Sequence, residues 1–366
     1  MKKLLSLLLC LTLVLLCVPS VGEELRVTGK VTEVEKYGHA LLDVTIEDFN
    51  ALGFELGDIV TVKAGTYEGD MPYFNGYYVD RGEYMLRAYP GHTCIAVCIN
   101  YDKFAETAGI GVGDEVTISL KQKAGALTLQ QINNLVYTND PGDYDSEEAF
   151  ANFRVVRVGG IAEGKLVRSA SPIDNQNNRA SYADKLIEAA GVKTVMNMAN
   201  TPEELEALLA SDGATSYYGK LAAGGSVIAL GMPVNFASDE FAEGIVKGLV
   251  FLSENEPPYL VHCTEGKDRA GFASMLIEML TGASLEEIVA DYLQSYVNYY
   301  KIDSEKEADK LDMIAEKNVL EMVRAVAGLS GKESLENVDL ADAAESYLLS
   351  HGMDEAALVA LVEKLR

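Results

Sequence analysis

Positive charge is scarce in this sequence: 30 lysines and arginines stand against 56 aspartates and glutamates, for a formal net charge of −26. A chain this acidic stays soluble by self-repulsion and is a poor general binder of nucleic acid or anionic membranes. Any phosphate it handles must therefore be gathered by a local site. Cysteine is scarce as well, five in all. Cys10 and Cys17 fall in the first apolar run, which leaves Cys94, Cys98 and Cys263. Cys94 and Cys98 sit in an apolar stretch, residues 92–100, that has the pattern of a strand. At that spacing two side chains on one face are about 13 Å apart, beyond the reach of a disulfide. No disulfide framework is evident, so these two are expected to be small buried apolar groups, and Cys263 a free thiol. No His/Cys/Asp grouping has metal spacing, and no cofactor is expected. His39 and His92 have no evident partner.

The apolar run from Leu4 to Val18 is too short and too early for a membrane span. Lys2-Lys3 precede it, and Pro19 followed by Ser20-Val21-Gly22 closes it, the pattern of a secretory signal cut after Gly22. A lipoprotein signal at Cys17 would want a small residue where Leu16 stands. Export, to the cell surface or beyond, is the expectation. Cleavage would remove Lys2 and Lys3 but no acid, taking the net charge to −28.

A chain of 366 residues has room for two domains. Residues 23–122 show short alternating segments separated by Gly, Asp and Asn, as β-strands do. They contain an echo. The stretch GFELGDIVTV at residues 53–62 returns 56 residues later as GIGVGDEVTI at 109–118, and a phenylalanine, Phe49 or Phe104, precedes each copy. A duplicated strand–short helix–turn–strand unit predicts a small closed barrel with pseudo-twofold symmetry, which also removes sheet edges. Residues 123–150 form a connector, with a short helix at 127–135 and an acidic stretch at 139–148. That stretch lacks the ligand order and glycine of an EF-hand, and suits a solvated loop capping the next helix. From 151 to 366 strands alternate with helices. The fold class is therefore α/β, a mainly parallel sheet covered on both faces, with ligand chemistry at the carboxyl ends of its strands. Within it, residues 177–190 suggest a helix, 234–236 an extended run, Ser238-Asp239 a helix cap and Ser284 with Glu287 a capping box.

Segment 38–120, ending in INYDKFAETAGIGVGDEVTISL, resembles the C-terminal barrel of bacterial S-adenosylmethionine hydroxide adenosyltransferases. The catalytic half of those enzymes has no counterpart here. The resemblance thus implies a structural or partner-binding module, not their activity.

The chemistry concentrates in residues 259–272, YLVHCTEGKDRAGF. An apolar strand leads in and an apolar-periodic helix leads out, with Cys263 at the turn and Arg269 six positions on. Loop amides and a helix N-terminus make an anion site, and a thiol held there loses its proton more readily and becomes a nucleophile. The Arg269 guanidinium can grip two phosphate oxygens in a fork.

This loop resembles the HC-x2-GKDR-[ST]-G loop of bacterial cysteine-dependent tyrosine and phosphoinositide phosphatases, within the protein tyrosine phosphatase superfamily. The upstream NFR (152–154), LVRSASP (166–172) and KTVMNMAN (193–200) add to the likeness. By implication Cys263 is the nucleophile and Arg269 the phosphate clamp. Thr264, Glu265, Gly266, Lys267 and His262 surround the phosphate, and His262 also helps to set the state of the thiol. Ala270 departs from the pattern, standing where a threonine or serine hydroxyl usually helps the thiolate to leave. The familiar Trp-Pro-Asp loop is excluded, because the chain has no tryptophan. Two candidates remain for the general acid, Asp268 inside the loop and Asp239 at a helix start, and either could instead be a cap. Arg154, Arg168 and Arg179 are candidates to line the pocket, though singly placed arginines are more often surface ion pairs, and Tyr292, Tyr296, Tyr299 and Tyr300 have the look of packing.

The expected activity is an exported phosphatase working through phosphocysteine, on phosphotyrosine or on a phosphoinositide or inositol phosphate. The alternative is a phosphate-ligand binding protein on a phosphatase scaffold. A sulfur transferase of rhodanese type fits poorly with GKDR and the preceding histidine.

Overall fold

The computed structural model describes residues 25–211 and 213–366, so the expected leader at 1–22 lies outside the described residues. The chain divides after Asn133 into two compact units.

The first unit holds β1 (Arg26–Val34), β2 (Ala40–Thr45), α1 (Ile46–Ala51), β3 (Ile59–Ala64), β4 (Tyr67–Phe74), β5 (Tyr84–Arg87), β6 (Cys94–Ile99), α2 (Phe104–Ala108), β7 (Glu115–Gln122) and α3 (Leu127–Ile132). Its strands close into a barrel in the order β1-β2-β6-β5-β4-β3-β7. The echo is visible in the register: Val62 of β3 pairs with Ile118 of β7, its own counterpart 56 residues on. The pseudo-twofold axis therefore passes through that pair. Each copy turns on a Gly-Asp step. Gly57 and Gly113 have φ of +92° and +95°, a region L side chains resist. The carboxylates of Asp58 and Asp114 then accept from Glu55 N and Gly111 N, both at 2.8 Å. Phe49 stacks on Phe54 at 4.0 Å in the core, and Phe104 is buried as well. Strand β4 escapes the sequence pattern because Gly69, Asp70 and Pro72 inside it are turn formers; barrel closure overrides that preference. His39 and His92 do have partners. Both face the buried Arg87, at 3.4 and 3.3 Å.

The second unit contains α4 (Glu147–Phe150), β8 (Arg154–Val156), β9 (Leu166–Ser169), α5 (Ala180–Ala189), β10 (Thr194–Asn197), α6 (Pro202–Ser211), α7 (Tyr217–Ala223), β11 (Val227–Ala229), α8 (Asp239–Glu254), β12 (Tyr259–His262), α9 (Asp268–Leu280), α10 (Leu285–Tyr300), α11 (Ala308–Lys317), α12 (Val319–Val326), α13 (Leu340–Ser350) and α14 (Glu355–Leu365). The sheet order is β11-β10-β12-β9-β8. All pairings are parallel except β8 with β9. The α/β class and the barrel before it are as expected. Strand β12 runs through the middle, and all four of its residues are buried. Leu260 pairs with Val195 on one side and Val167 on the other. Helix α9 is buried from Ala270 through Leu280, on every face, as a helix enclosed by its unit must be.

Ser238 caps α8, and Ser284 with Glu287 forms the capping box of α10. Helix α5 starts at Ala180 rather than 177, behind Asn178, which has φ of +57°. Residues 234–236 are not a strand. Val234 is exposed, while Phe236 turns in to stack on Phe272 at 5.6 Å. Among the described residues, no helix is long and apolar enough to cross a membrane.

Candidate active site

Strand β12 ends at His262 and α9 begins at Asp268, so Cys263 to Lys267 form the loop at the carboxyl edge of the central strand. Cys263 is only 3% exposed. Gly266 has φ of +69°, and a Cβ there would lie 2.2 Å from the Ser169 carbonyl oxygen. Only glycine lets the loop rest against the end of β9.

The loop carbonyls are claimed from one side. Thr264 O accepts from Ser171 N at 3.2 Å and Glu265 O from Asn152 Nδ2 at 2.9 Å. Arg168 Nη2 donates to both Gly266 O and Lys267 O at 3.0 Å. In a planar trans peptide the N–H points opposite to the C=O. The N–H groups of Glu265, Gly266, Lys267 and Asp268 therefore turn away from Asn152, Arg168 and Ser171. Among the described residues, those of Glu265, Gly266 and Lys267 have no protein acceptor. Converging amides at the start of a helix are a nest for one tetrahedral anion.

Arg269 lies in the first turn of α9, half-buried. Its Nη1 donates to the carbonyls of Met198 (2.9 Å) and Met232 (2.8 Å), which fixes the plane of the guanidinium. Nη2 reaches back to Thr264 Oγ1 at 3.1 Å, over the residue that follows the cysteine. The expected nucleophile and clamp are thus brought to one loop.

Lys267 is more engaged than expected. Its ammonium donates to Tyr300 Oη at 2.7 Å, pairs with Glu265 at 3.1 Å and Asp268 at 3.7 Å, and faces the rings of Tyr296 and Tyr300. Burial alone would lower its pKa, but Asp268, the tyrosines and Glu265 reverse this and raise it. Its charge is largely spent on those acids, so it lends an incoming phosphate less than the motif implies.

His262 corrects a second expectation. It is fully buried, with Nε2 3.4 Å from Tyr218 Oη and Nδ1 3.4 Å from the Cys263 carbonyl. Burial, with a smaller push from Arg269, lowers its pKa to about 3. A buried ring with its pKa lowered in this way brings little positive charge to the thiol, and its contacts are the Cys263 carbonyl and the Tyr218 hydroxyl. It positions the Cys263 peptide.

The two acid candidates separate. Asp268 opens α9, with Tyr292 Oη 3.4 Å from its Oδ1. Burial raises its pKa, and Glu265 adds to this against the opposing pull of Lys267. A carboxyl held up in this way is suited to donating a proton. Asp239 is exposed at the start of α8 and lines a cleft of about 720 Å³ with residues of α12 and α13, none from 262–269.

The tyrosine phosphatase family model matches residues 150–366, well over half of the chain. The chain belongs to the tyrosine phosphatase family. No curated protein matches it. Among solved structures, an uncharacterized conserved protein from Thermotoga maritima is 23% identical with a TM-score of 0.24, covering 27% of this chain. The match spans 37% of that protein's length. The core catalytic domain of the PP-IP phosphatase SIW14 from S. cerevisiae, in complex with citrate, is also 23% identical, with a TM-score of 0.27. That match covers 46% of this chain and 92% of the yeast domain.

Behind the phosphatase loop lies an ion network that the sequence pattern missed. Asp291, on α10, accepts from Arg154 Nε at 2.7 Å and from Arg168 Nη1 at 2.6 Å. Burial alone would raise its pKa, but the two guanidiniums overcome this and hold it well below the carboxylate range. Glu278 of α9 is buried beside this group, and burial together with the Asp291 charge pushes its pKa well up. The three arginines read as surface pairs are inside. Arg179 is buried too, bonded to the carbonyls of Thr138 and Phe150, with its guanidinium 4.1 Å from the Tyr299 ring centroid. A charged residue inside LVRS, a strand with apolar neighbours, was the one available signal for Arg168. The tyrosines do pack, with Tyr292, Tyr296 and Tyr299 buried, yet Tyr292 and Tyr300 also hold loop groups.

Proposed function

We propose that the protein hydrolyses phosphate monoesters through a phosphocysteine at Cys263. The observation that carries this reading is the loop itself: its carbonyls are all drawn to one side, and Arg269 folds back onto Thr264 next to Cys263. The phosphate would sit in the amide nest, clamped by Arg269. The thiolate attacks phosphorus, an S–P bond forms and the ester P–O bond breaks. Asp268 gives its proton to the departing oxygen. Water then attacks phosphorus, the Asp268 carboxylate takes a proton from it, and phosphate and thiolate are released.

For substrate we favour phosphotyrosine over phosphoinositides. Lys267 is already paired with Glu265 and Asp268, so the loop offers little unspent positive charge for a densely phosphorylated ring. The half-buried Tyr300, in ring contact with the exposed Tyr137 at 5.9 Å, offers an aromatic ligand a wall to pack on. Export rests on Lys2-Lys3 and the apolar run behind them. Sequencing of the mature N-terminus in the native host would show Glu23 first if the signal is cut as proposed.

The test is phosphate release from a phosphotyrosine peptide, a phosphoserine peptide, phosphoinositides and inositol hexakisphosphate, with Cys263→Ser as control. Turnover of the phosphotyrosine peptide that Cys263→Ser abolishes, with binding retained, is the expected result. No turnover of any member with binding intact would instead make the protein a phosphate-ligand binder. Turnover that survives in Cys263→Ser would overturn the mechanism.

A further inference from the structure

The barrel carries a second cluster of chemistry, away from residues 259–272 in sequence and independent of the phosphatase reading. Arg87, at the end of β5, is 4% exposed yet charged. Its Nη2 donates to Glu35 Oε1 at 2.9 Å and its Nη1 to Tyr77 Oη at 3.1 Å. His39 and His92 lie 3.4 and 3.3 Å from the same guanidinium. Among the described residues its Nε is buried with no hydrogen-bond partner. A small barrel with an aromatic core does not need such a cluster for stability, since a buried ion pair is seldom better than apolar packing and an orphaned donor costs free energy.

Above the cluster the surface is unusual. Tyr37 is 65% exposed and Tyr101 79%, and Tyr77 and Tyr89 are exposed as well. Two cavities, of about 690 and 330 Å³, open here and share Lys36, Tyr37, His39 and Tyr77. The larger adds Asn100, Tyr101, Asp102 and Lys103; the smaller reaches Arg87, Glu35, Tyr89 and His92. Their sizes fall in the range of small-ligand sites.

The charges in these cavities decide what fits. Arg87 is matched by Glu35, and the Lys103 ammonium by Glu106 at 2.7 Å. Burial holds the His39 pKa below its ordinary value, so the ring is neutral near pH 7. The two other charged side chains in the lining are of opposite sign and have their own contacts: Lys36 lies over the Tyr37 ring at 5.3 Å, and Asp102 accepts from Lys103 N at 2.7 Å, so a ligand of either charge finds no surplus to pair with. What remains is a row of flat phenol rings interleaved with amide, carboxylate, imidazole and ammonium groups. Tyrosine faces accept the C–H face of a sugar ring, and planar polar groups at the ring edges bind neighbouring hydroxyls.

We propose that this face of the barrel is a binding site for a neutral oligosaccharide. The test titrates the full chain with maltotetraose, cellotetraose and chitotetraose, alongside adenosine and a proline-rich peptide as ligands of other chemistry. Heat of binding is one readout. Tyrosine emission is a second, unmasked because the chain has no tryptophan. At least one saccharide should bind with Kd near or below about 1 mM. The Tyr37→Ala/Tyr101→Ala double variant, at two exposed positions and checked for an unchanged unfolding midpoint, should weaken it by about tenfold or more, a loss of about 1.4 kcal/mol. Hydrolysis at Cys263 should be unchanged in that variant. Three outcomes would overturn the proposal: no saccharide binding at about 10 mM, binding that the double variant leaves intact, or tighter binding of adenosine or the peptide.

Discussion

Asp291 Oδ2 lies 2.6 Å from Nη1 of Arg168, whose Nη2 holds the carbonyls of Gly266 and Lys267. One carboxylate on α10 thereby fixes the guanidinium that shapes the phosphate loop. In Asp291→Asn two buried guanidiniums lose their counter-charge, at a cost of about 3–5 kcal/mol. The loop then loses its outer support, and a misplaced loop costs about 10²-fold in kcat/KM. Arg168→Lys should not rescue the loop, because an ammonium cannot bridge a carboxylate and two carbonyls as a fork does. Urea unfolding and hydrolysis of p-nitrophenyl phosphate measure both effects. Wild-type kinetics in Asp291→Asn would remove the pair from any part in shaping the loop.

Asp268 is the expected proton donor, and its raised pKa sets the direction of the pH effect. An acid acts only while protonated, so kcat falls as pH rises through its pKa, and the upward shift extends activity toward higher pH. Asp268→Asn should erase that basic limb. With an alkyl phosphate, whose leaving group needs the proton, the loss should be about 10²–10⁴-fold. With p-nitrophenyl phosphate it should be small. Equal losses on both substrates would show that Asp268 only shapes the loop, through Lys267 and Tyr292.

Much of this arrangement was legible in the chain because it is local. The barrel echo, the caps at Ser238 and Ser284, and the loop from His262 to Ala270 are each contained in short stretches whose spacing has one physical meaning. The site's supports are not local. Arg168 meets Asp291 across 123 residues, and Asn152 meets Glu265 across 113. Nothing in the sequence near Arg168 distinguishes a buried brace from a surface cation, beyond its apolar neighbours. The His39–Arg87–His92 cluster hid for the same reason, since β2, β5 and the turn before β6 meet only when the barrel closes. Propensity failed at Pro72 and Val234, where tertiary context outweighs the local preference.

Ala270 is fully buried one residue beyond the clamp. With no hydroxyl there to assist the thiolate as it departs, breakdown of the phosphocysteine should be slower than its formation. Rapid-mixing assays with p-nitrophenyl phosphate should show a burst close to one equivalent of product and then a slower steady rate. Ala270→Ser, which adds a single oxygen, should raise the steady rate by about tenfold or more, within the range of one positioned proton-transfer group, and leave the burst rate little changed. Linear progress from the first turnover would show that the hydroxyl is not needed here.

His262 gives the fold a pH dependence of known sign. Its folded pKa of about 3 lies below the ordinary histidine value of 6.5. Between those values the unfolded chain binds a proton that the folded protein refuses, so stability rises with pH across the window and is complete above it. The slope from this one group is at most about 1.4 kcal/mol per pH unit. Asp291, held low by its arginines, also weakens the fold in acid, but its loss begins only where unfolded carboxylates start to protonate. From pH 5 to pH 6.5 His39, also held low, adds a slope of the same sign, and Glu278 and Asp268, held high, add slopes of opposite sign, so His262 is isolated by the difference in unfolding free energy between the wild type and His262→Asn. Replacing it in His262→Asn also disturbs packing against Tyr218, whose ring centroid is 5.7 Å away. That cost is a constant offset and leaves the slope to report the proton. The variant should show a slope smaller by close to one proton; identical slopes would mean that His262 carries its charge in the folded protein, against the neutral ring this site requires.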